Sequence, residues 1–262
     1  MIVLLSPAKN LNFDPAPHAP AATKPALLKH TAELAETTRT LTPTKLKKLM
    51  GISDKLAELN HERFQALRAD GKSNSAKQAA LAFNGDVYLG LNAKTMSAED
   101  FAYAQDHLRI LSGLYGLLRP LDAIEPYRLE MGSKLKNPRG KDLYAFWGEI
   151  IAKEIDRATK GHEDPTVVNL ASAEYFKAVD RGALKAPVVT PVFKEAKDGR
   201  LRTLQFYAKR ARGLMARWIV DNRIDKAGDL KKFSVEGYSL DKTGSDDATL
   251  LFTRPQPAAK AA

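Results

Sequence analysis

Short apolar runs are spread along this chain at unequal intervals, and that spacing limits the fold more than any other feature. Met1–Leu5 is a continuous apolar run closed by Ser6-Pro7, the pattern of a short buried strand. Further strand candidates fall at Leu108–Ser112, Thr166–Leu170, Val188–Lys194, Arg200–Tyr207 and Thr249–Thr253, with Asp198-Gly199 as a hairpin turn. Helical patterns lie between them. Leu27–Thr38 is one, and Thr42-Pro43 then puts a capping residue before a proline at the first helical position. Another helix starts at Ser53 and runs toward Leu67, and Ser97-Ala98-Glu99-Asp100 has capping-box spacing. The longest is expected from about Lys141 to Ala158. Such spans lack the regular alternation of a Rossmann fold or a barrel. The expectation is therefore α+β, an irregular mixed α/β single domain over residues 1–254 with a central mixed sheet. Asn12–Pro25, with Pro15, Pro17, Pro20 and Pro25, reads as an extended surface strap, and 255–262 as a disordered tail.

The 262 residues carry a formal charge of +10, and the excess is clustered. Between Ala196 and Lys232 eleven basic residues face four aspartates, and between Arg109 and Lys141 seven face three acidic ones. Lys45, Lys47, Lys48 and Lys55 against Asp54 form a third cluster. Clustering of this kind points to a polyanionic partner rather than to solubility alone. Cysteine is absent, which excludes disulfides, thiolate nucleophiles and cysteine-ligated clusters and fits a reducing compartment. No stretch approaches the length of an apolar membrane span, so the reading is a soluble, cytoplasmic chain with no membrane partner.

Two constellations carry much of the clustered charge. Leu46 to Ala57 resembles a helix-hairpin-helix over about 43–67, in which Lys47, Lys48, Gly51, Ser53 and Lys55 would meet phosphates and Leu49, Leu56 and Leu59 would hold the helices together. The usual second glycine is Ser53 here. The other reading of this segment is an ordinary helical hairpin with solvated lysines. From Tyr207 to Arg223 a helical projection puts Tyr207, Ala208, Ala211, Leu214, Met215, Trp218 and Ile219 on one side. Lys209, Arg210, Arg212, Arg217 and Arg223 lie on the other, with Gly213 and Ala216 among them, where small side chains would let a sugar-phosphate backbone come close. Arg119 and Arg128 either face a cleft or pair with Asp122, Glu125 or Glu130.

Signals for catalysis are sparse. Ser6 and Lys9, a Ser/Lys pair at a strand end, and Glu130 are the candidate catalytic residues, with Asp86, Tyr88, Asn169, Ser172, Glu174 and Tyr175 as further polar groups beside strand ends. Whether the chain is an enzyme stays open. Neither a phosphate-cradling GxxxxGK[ST] nor an HExxH, GxSxG or EF-hand pattern occurs, and no cofactor is expected. Glu58, His61 and Glu62 share a helix face at metal-compatible intervals, but such exposed groups read as solvated and no metal is expected.

Taken together, Ser6-Pro7-Ala8-Lys9-Asn10-Leu11, Ile52 to Ala57, Phe83 to Tyr88, Leu111 to Asp122, Tyr127 to Gly132, Gly140 to Tyr144, Asn169 to Ser172 and Phe206 to Met215 resemble the bacterial YaaA family across residues 1 to about 254. The resemblance implies a cytoplasmic protein of the peroxide-stress response, linked to DNA repair and to limiting free iron. It also implies a family-specific mixed α/β fold that binds DNA through a positively charged cleft and a helix-hairpin-helix. It supplies no catalytic residue. The function expected is non-specific, phosphate-dominated DNA binding; the alternatives are an enzyme acting on a nucleobase or nucleotide in damaged DNA and, third, iron sequestration. Oligomeric state is left open, with a monomer compatible.

Overall fold

The Ile2–Leu5 strand is wholly buried because it lies in the middle of a sheet, with parallel neighbours on both sides. A strand covered on both faces reads as an unbroken apolar run, as this one does. The computed structural model describes residues 1–71 and 73–257. In chain order the strands are β1 (Ile2–Leu5), β2 (Asn10–Leu11), β3 (Lys77–Gln78), β4 (Phe83–Asn84), β5 (Leu108–Ser112), β6 (Gly116–Leu118), β7 (Ala123–Ile124), β8 (Val167–Asn169), β9 (Val188–Lys197), β10 (Arg200–Arg202), β11 (Ser239–Leu240) and β12 (Thr249–Pro255). The α-helices are α1 (Leu28–Arg39), α2 (Pro43–Met50), α3 (Asp54–Ala66), α4 (Ala79–Ala82), α5 (Asp86–Leu91), α6 (Ala98–His107), α7 (Leu143–Trp147), α8 (Ile150–Ala158), α9 (Ala173–Phe176) and α10 (Gln205–Asp221).

The main sheet runs β11-β12-β9-β8-β1-β5-β6, with β10 hung on β9. Its centre is parallel from β12 through β5, and β11, β6 and β10 add antiparallel edges. The chain first steps from β1 to β5 on one side and then returns to β8 and β9 on the other. The direction of winding therefore reverses between β1 and β8. Such a reversal opens a crevice beyond the carboxyl ends of the two strands, where ligands of open α/β sheets bind. Buried apolar residues from Met1 to Phe252 form one contiguous cluster around the sheet.

Local signals are realised where the chemistry is local. Thr42 and Ser53 accept from the backbone amides of Lys45 and Leu56, and Ser97 and Asp100 complete a capping box. Asp198 and Gly199 both take positive φ (53° and 71°), the geometry of a two-residue hairpin turn. The strap is extended only in part: Thr23 exchanges backbone hydrogen bonds with Leu121 and Ala123 and donates its hydroxyl to Asp122, whereas Ala19 donates its amide to the Ala16 carbonyl in a turn.

Elsewhere the expectations need correction. The long helix is two, because Gly148 takes φ 44° between α7 and α8. Trp147 is fully buried there and donates its indole N–H to the Gly113 carbonyl at 3.1 Å. The strand expected to reach Tyr207 stops at Arg202, and α10 already starts at Gln205. Of the expected tail, Pro255 still belongs to β12, and 258–262 lie outside the described residues. The sheet is also more parallel than an α+β reading supposes. Among the described residues no helix is long and apolar enough to cross a membrane.

Candidate functional site

A cavity of about 460 Å³ occupies the crevice between the ends of β1 and β8. Its walls come from the loop after β1 (Ser6 to Asn10), the β4–α5 junction, the Tyr127–Glu130 segment, the start of α9, and Lys209 and Arg212 of α10. Ser6 ties the two strand ends together. Its Oγ accepts from the Ser172 amide at 2.8 Å and donates to the Ser172 hydroxyl at 3.3 Å, while its carbonyl accepts from the Tyr88 hydroxyl at 3.0 Å. Pro7 then ends the ladder, having no amide to give.

Lys9 turns from the serine to the carboxylate across the cavity. Its Nζ lies 3.0 Å from Glu130 Oε2, and Arg128 Nη2 lies 3.0 Å from Glu130 Oε1. The Ser/Lys pairing expected from the sequence is thus replaced by a Lys9–Glu130–Arg128 bridge, and among the described residues the Ser6 hydroxyl bonds only to Ser172. Glu174 accepts from the Gly132 amide at 2.9 Å. Burial pushes the phenols of Tyr88, Tyr127 and Tyr175 well up. They are neutral hydroxyls at pH 7, donors rather than bases.

Two glycines fix the far wall. A Cβ on Gly213 would sit 1.8 Å from the Val87 carbonyl oxygen, and one on Gly90 would sit 2.3 Å from that of Arg210. Helices α5 and α10 therefore cross with their backbones in contact, which carries Asp86 and Tyr88 at the start of α5 to the same cavity as Lys209 and Arg212. This overturns the expectation that Gly213 and Ala216 leave room for a nucleic-acid backbone: both are buried in protein.

The remaining basic candidates divide by partner. Arg119 does not line the cavity and forks onto the buried Asp122 (3.0 and 3.1 Å). Arg210 pairs with Glu236 and Arg223 with Asp100. Arg217 meets Asp221 and also donates to the Asn92 carbonyl and the Thr95 hydroxyl. In the hairpin, Gly51 takes φ 60° with nothing within 4 Å of where a Cβ would be. Lys47 pairs with Asp54 at 2.8 Å, whereas Lys48 and Lys55 are exposed and have no partner among the described residues. Ile52 plugs the helix pair and Leu46 and Ala57 are buried with it, but Leu56 and Leu59 are 36% and 37% exposed, so they do not hold the helices together as expected.

A second cluster has no counterpart in the sequence reading. Donor atoms of Asp106, His107 and His162 lie within 4.8 Å of one another, which makes these the described residues best placed to hold a metal ion. In the protein alone they form hydrogen bonds: His107 Nδ1 faces the Tyr103 carbonyl at 3.0 Å and Nε2 faces Asp225 at 3.0 Å, and His162 Nε2 is 3.3 Å from Asp106. Burial holds the His107 imidazole below its ordinary value. The two histidines are distant in sequence, so only their positions at the β1 start and α6 end unite them. His61 of the helix-face trio instead uses Nδ1 on the Leu41 carbonyl at 2.9 Å.

Comparison with known proteins agrees with the resemblance over nearly the whole length. A family model described as Peroxide stress protein YaaA matches residues 1–244. The chain is 58% identical over 259 residues to a UPF0246 protein of Maricaulis maris, covering 99% of this chain and 98% of the relative. It is 55% identical over 257 residues to a UPF0246 protein of Caulobacter vibrioides (98% and 100%) and 52% identical over 256 residues to one of Paraburkholderia xenovorans (97% and 98%).

Proposed function

The chain belongs to the peroxide stress protein YaaA family, and from that premise we propose that it binds DNA non-specifically through phosphates, protecting or presenting damaged DNA during peroxide stress, in a role linked to DNA repair and to limiting free iron. One observation carries this reading: Lys9, Arg128, Lys209 and Arg212, from three separate stretches of chain, converge on one crevice at the sheet's carboxyl edge. These four cations outnumber the three carboxylates that share the lining, Asp86, Glu130 and Glu174, and Lys209 and Arg212 have no ion-pair partner among the described residues, which favours a polyanion at the mouth. The α2–α3 hairpin is the second contact in this proposal, a helix-hairpin-helix in which Gly51 leaves open space and Lys48, Lys55 and Ser53 stand exposed beside it. No lining residue of the crevice comes from the hairpin, so the two are separate footholds. The test is titration of duplex, bubble and junction DNA. Comparable affinities for all three fit phosphate gripping, and no binding to any of them would refute it.

A second reading, an enzyme acting on a nucleobase or nucleotide, is supported by the Lys9–Glu130 pair inside the cavity. Such chemistry needs an extruded base or a single strand. Product analysis on uracil-containing and oxidised bubbles decides it: a product, and a borohydride-trapped adduct lost in Lys9→Ala, would establish the enzyme, and an empty panel leaves binding alone.

A further inference from the structure

The arginines of α10 differ in one respect that the charge count hides. Arg210 and Arg217, like Arg223 just beyond the helix, each have a carboxylate partner. Arg212 has neither an ion pair nor a side-chain hydrogen bond among the described residues, although it is partly buried in the cavity wall. Burial pulls its proton affinity down, and no carboxylate offsets the effect. A guanidinium nonetheless keeps its charge, so this is a fixed, partly desolvated cation with its fork of donors unspent. The backbone contact of Gly213 with α5 holds it there. Lys209, on the same wall, also has no partner among the described residues. On the other side, Lys9 and Arg128 already share Glu130.

We propose that this cavity is a site for a terminal phosphate, a phosphomonoester carried by a free nucleotide or by the end of a nucleic-acid strand, with Arg212 as its bidentate anchor and Lys209 as the second charge. The proposal deepens the nucleic-acid reading and rests on it for the choice of nucleotide. The form of the charge selects the monoester. A monoester carries close to two negative charges at pH 7, matching the two unspent cations, whereas a backbone diester carries one. The volume, about 460 Å³, falls in the range of small-molecule sites and is far too small for a duplex. Asp86 also lines the cavity and has no cation partner among the described residues, so it offers an acceptor for sugar hydroxyls or base N–H groups.

The experiment is calorimetric titration of the full chain with inorganic phosphate, a nucleoside 5′-monophosphate, single-stranded oligonucleotides bearing a 5′-phosphate or a 5′-hydroxyl, and closed circular duplex. The monophosphate is expected to bind, and Arg212→Met to weaken it at least about tenfold, the loss of one charge-assisted fork. Arg212→Met should also melt higher than the wild type without ligand, since it removes an unpaired, partly buried charge. Arg212→Lys, which keeps the charge but not the fork, should fall between the two in affinity. A 5′-phosphate preference over 5′-hydroxyl assigns the site to strand ends, and monophosphate binding without that preference assigns it to free nucleotides. Absence of both, or equal monophosphate binding by Arg212→Met, overturns the proposal. Circular duplex has no end, so its binding without any monophosphate binding rejects this site alone. Monophosphate binding without circular-duplex binding rejects the DNA reading and leaves the site.

Discussion

The hairpin between α2 and α3 and the helix α10 look alike in sequence, each a glycine among lysines or arginines, yet they use that glycine in opposite ways. Gly51 stands in open space at φ 60° and lets the chain turn. Gly213 is sealed against Val87 and Leu91 and lets two helices touch. The charges differ in the same sense. Lys48 and Lys55 stay on the surface, while Arg210 and Arg217 of α10 are spent on Glu236 and Asp221. A basic segment is therefore a binding surface only to the extent that its countercharges lie elsewhere. The count of arginines does not reveal this; the partners do.

Substitutions at the two glycines should separate the regions most sharply. Gly213→Ala forces a methyl into the Val87 carbonyl and should cost about 3 kcal/mol or more, lowering the melting temperature by roughly 8 °C. Gly51→Ala meets no atoms and pays only for left-handed backbone, about 1 kcal/mol. Equal effects in thermal melts would mean that the helix crossing is looser than described. Next in size is the loss of hairpin charge. Lys48→Ala with Lys55→Ala should lower the salt slope of duplex binding by about 2, near 0.9 per phosphate contact, and leave the melting temperature unchanged. An unaltered slope would confine binding to the crevice. The smallest effect is at Lys47, whose exposed pair with Asp54 should contribute under about 0.5 kcal/mol, so Lys47→Ala should barely move a denaturant midpoint.

The cluster beside the start of β1 supplies a control outside the crevice lining and the hairpin. Burial lowers the pKa of His107 in the folded chain below its unfolded value of about 6.5. The stability it contributes is present above that value and lost as the pH falls through the folded one. Melting temperatures should therefore drop from about pH 6.5 downward, and His107→Gln should flatten the drop. A drop of equal size in the variant would move the effect to other groups, among them His30, which burial also holds low.

What the sequence discloses follows the range of each interaction. The β1 run, the caps at Thr42, Ser53 and Ser97, and the Asp198-Gly199 turn each depend on neighbours a few residues apart, and each is legible. The break at Gly148 is not, because the apolar stripe continues across it and only the burial of Trp147 against Gly113 and Gly116 decides where the helix ends. Nor is the second buried face of α10, where Gly213 and Ala216 pass for gaps in a charged surface until α5 is laid on them. At the site, Ser6, Lys9, Arg128, Glu130, Ser172 and Lys209 stand out as polar residues near strand ends or on a basic face. Their pairing does not. Glu130 draws Lys9 away from Ser6, and Asp122 draws Arg119 out of the cleft, through contacts that sequence spacing cannot rank. The solitude of Arg212 is a three-dimensional fact as well.

The central claim is that the crevice at the β1/β8 reversal grips phosphates. Its most direct test is the slope of log affinity against log salt for duplex DNA, in the wild type and in a Lys209→Ala, Arg212→Met variant, which removes the two lining cations with no partner among the described residues. The slope should be steep in the wild type and shallower by about 2 in the variant. A wild-type affinity indifferent to salt, or an identical slope in a folded variant, would contradict it.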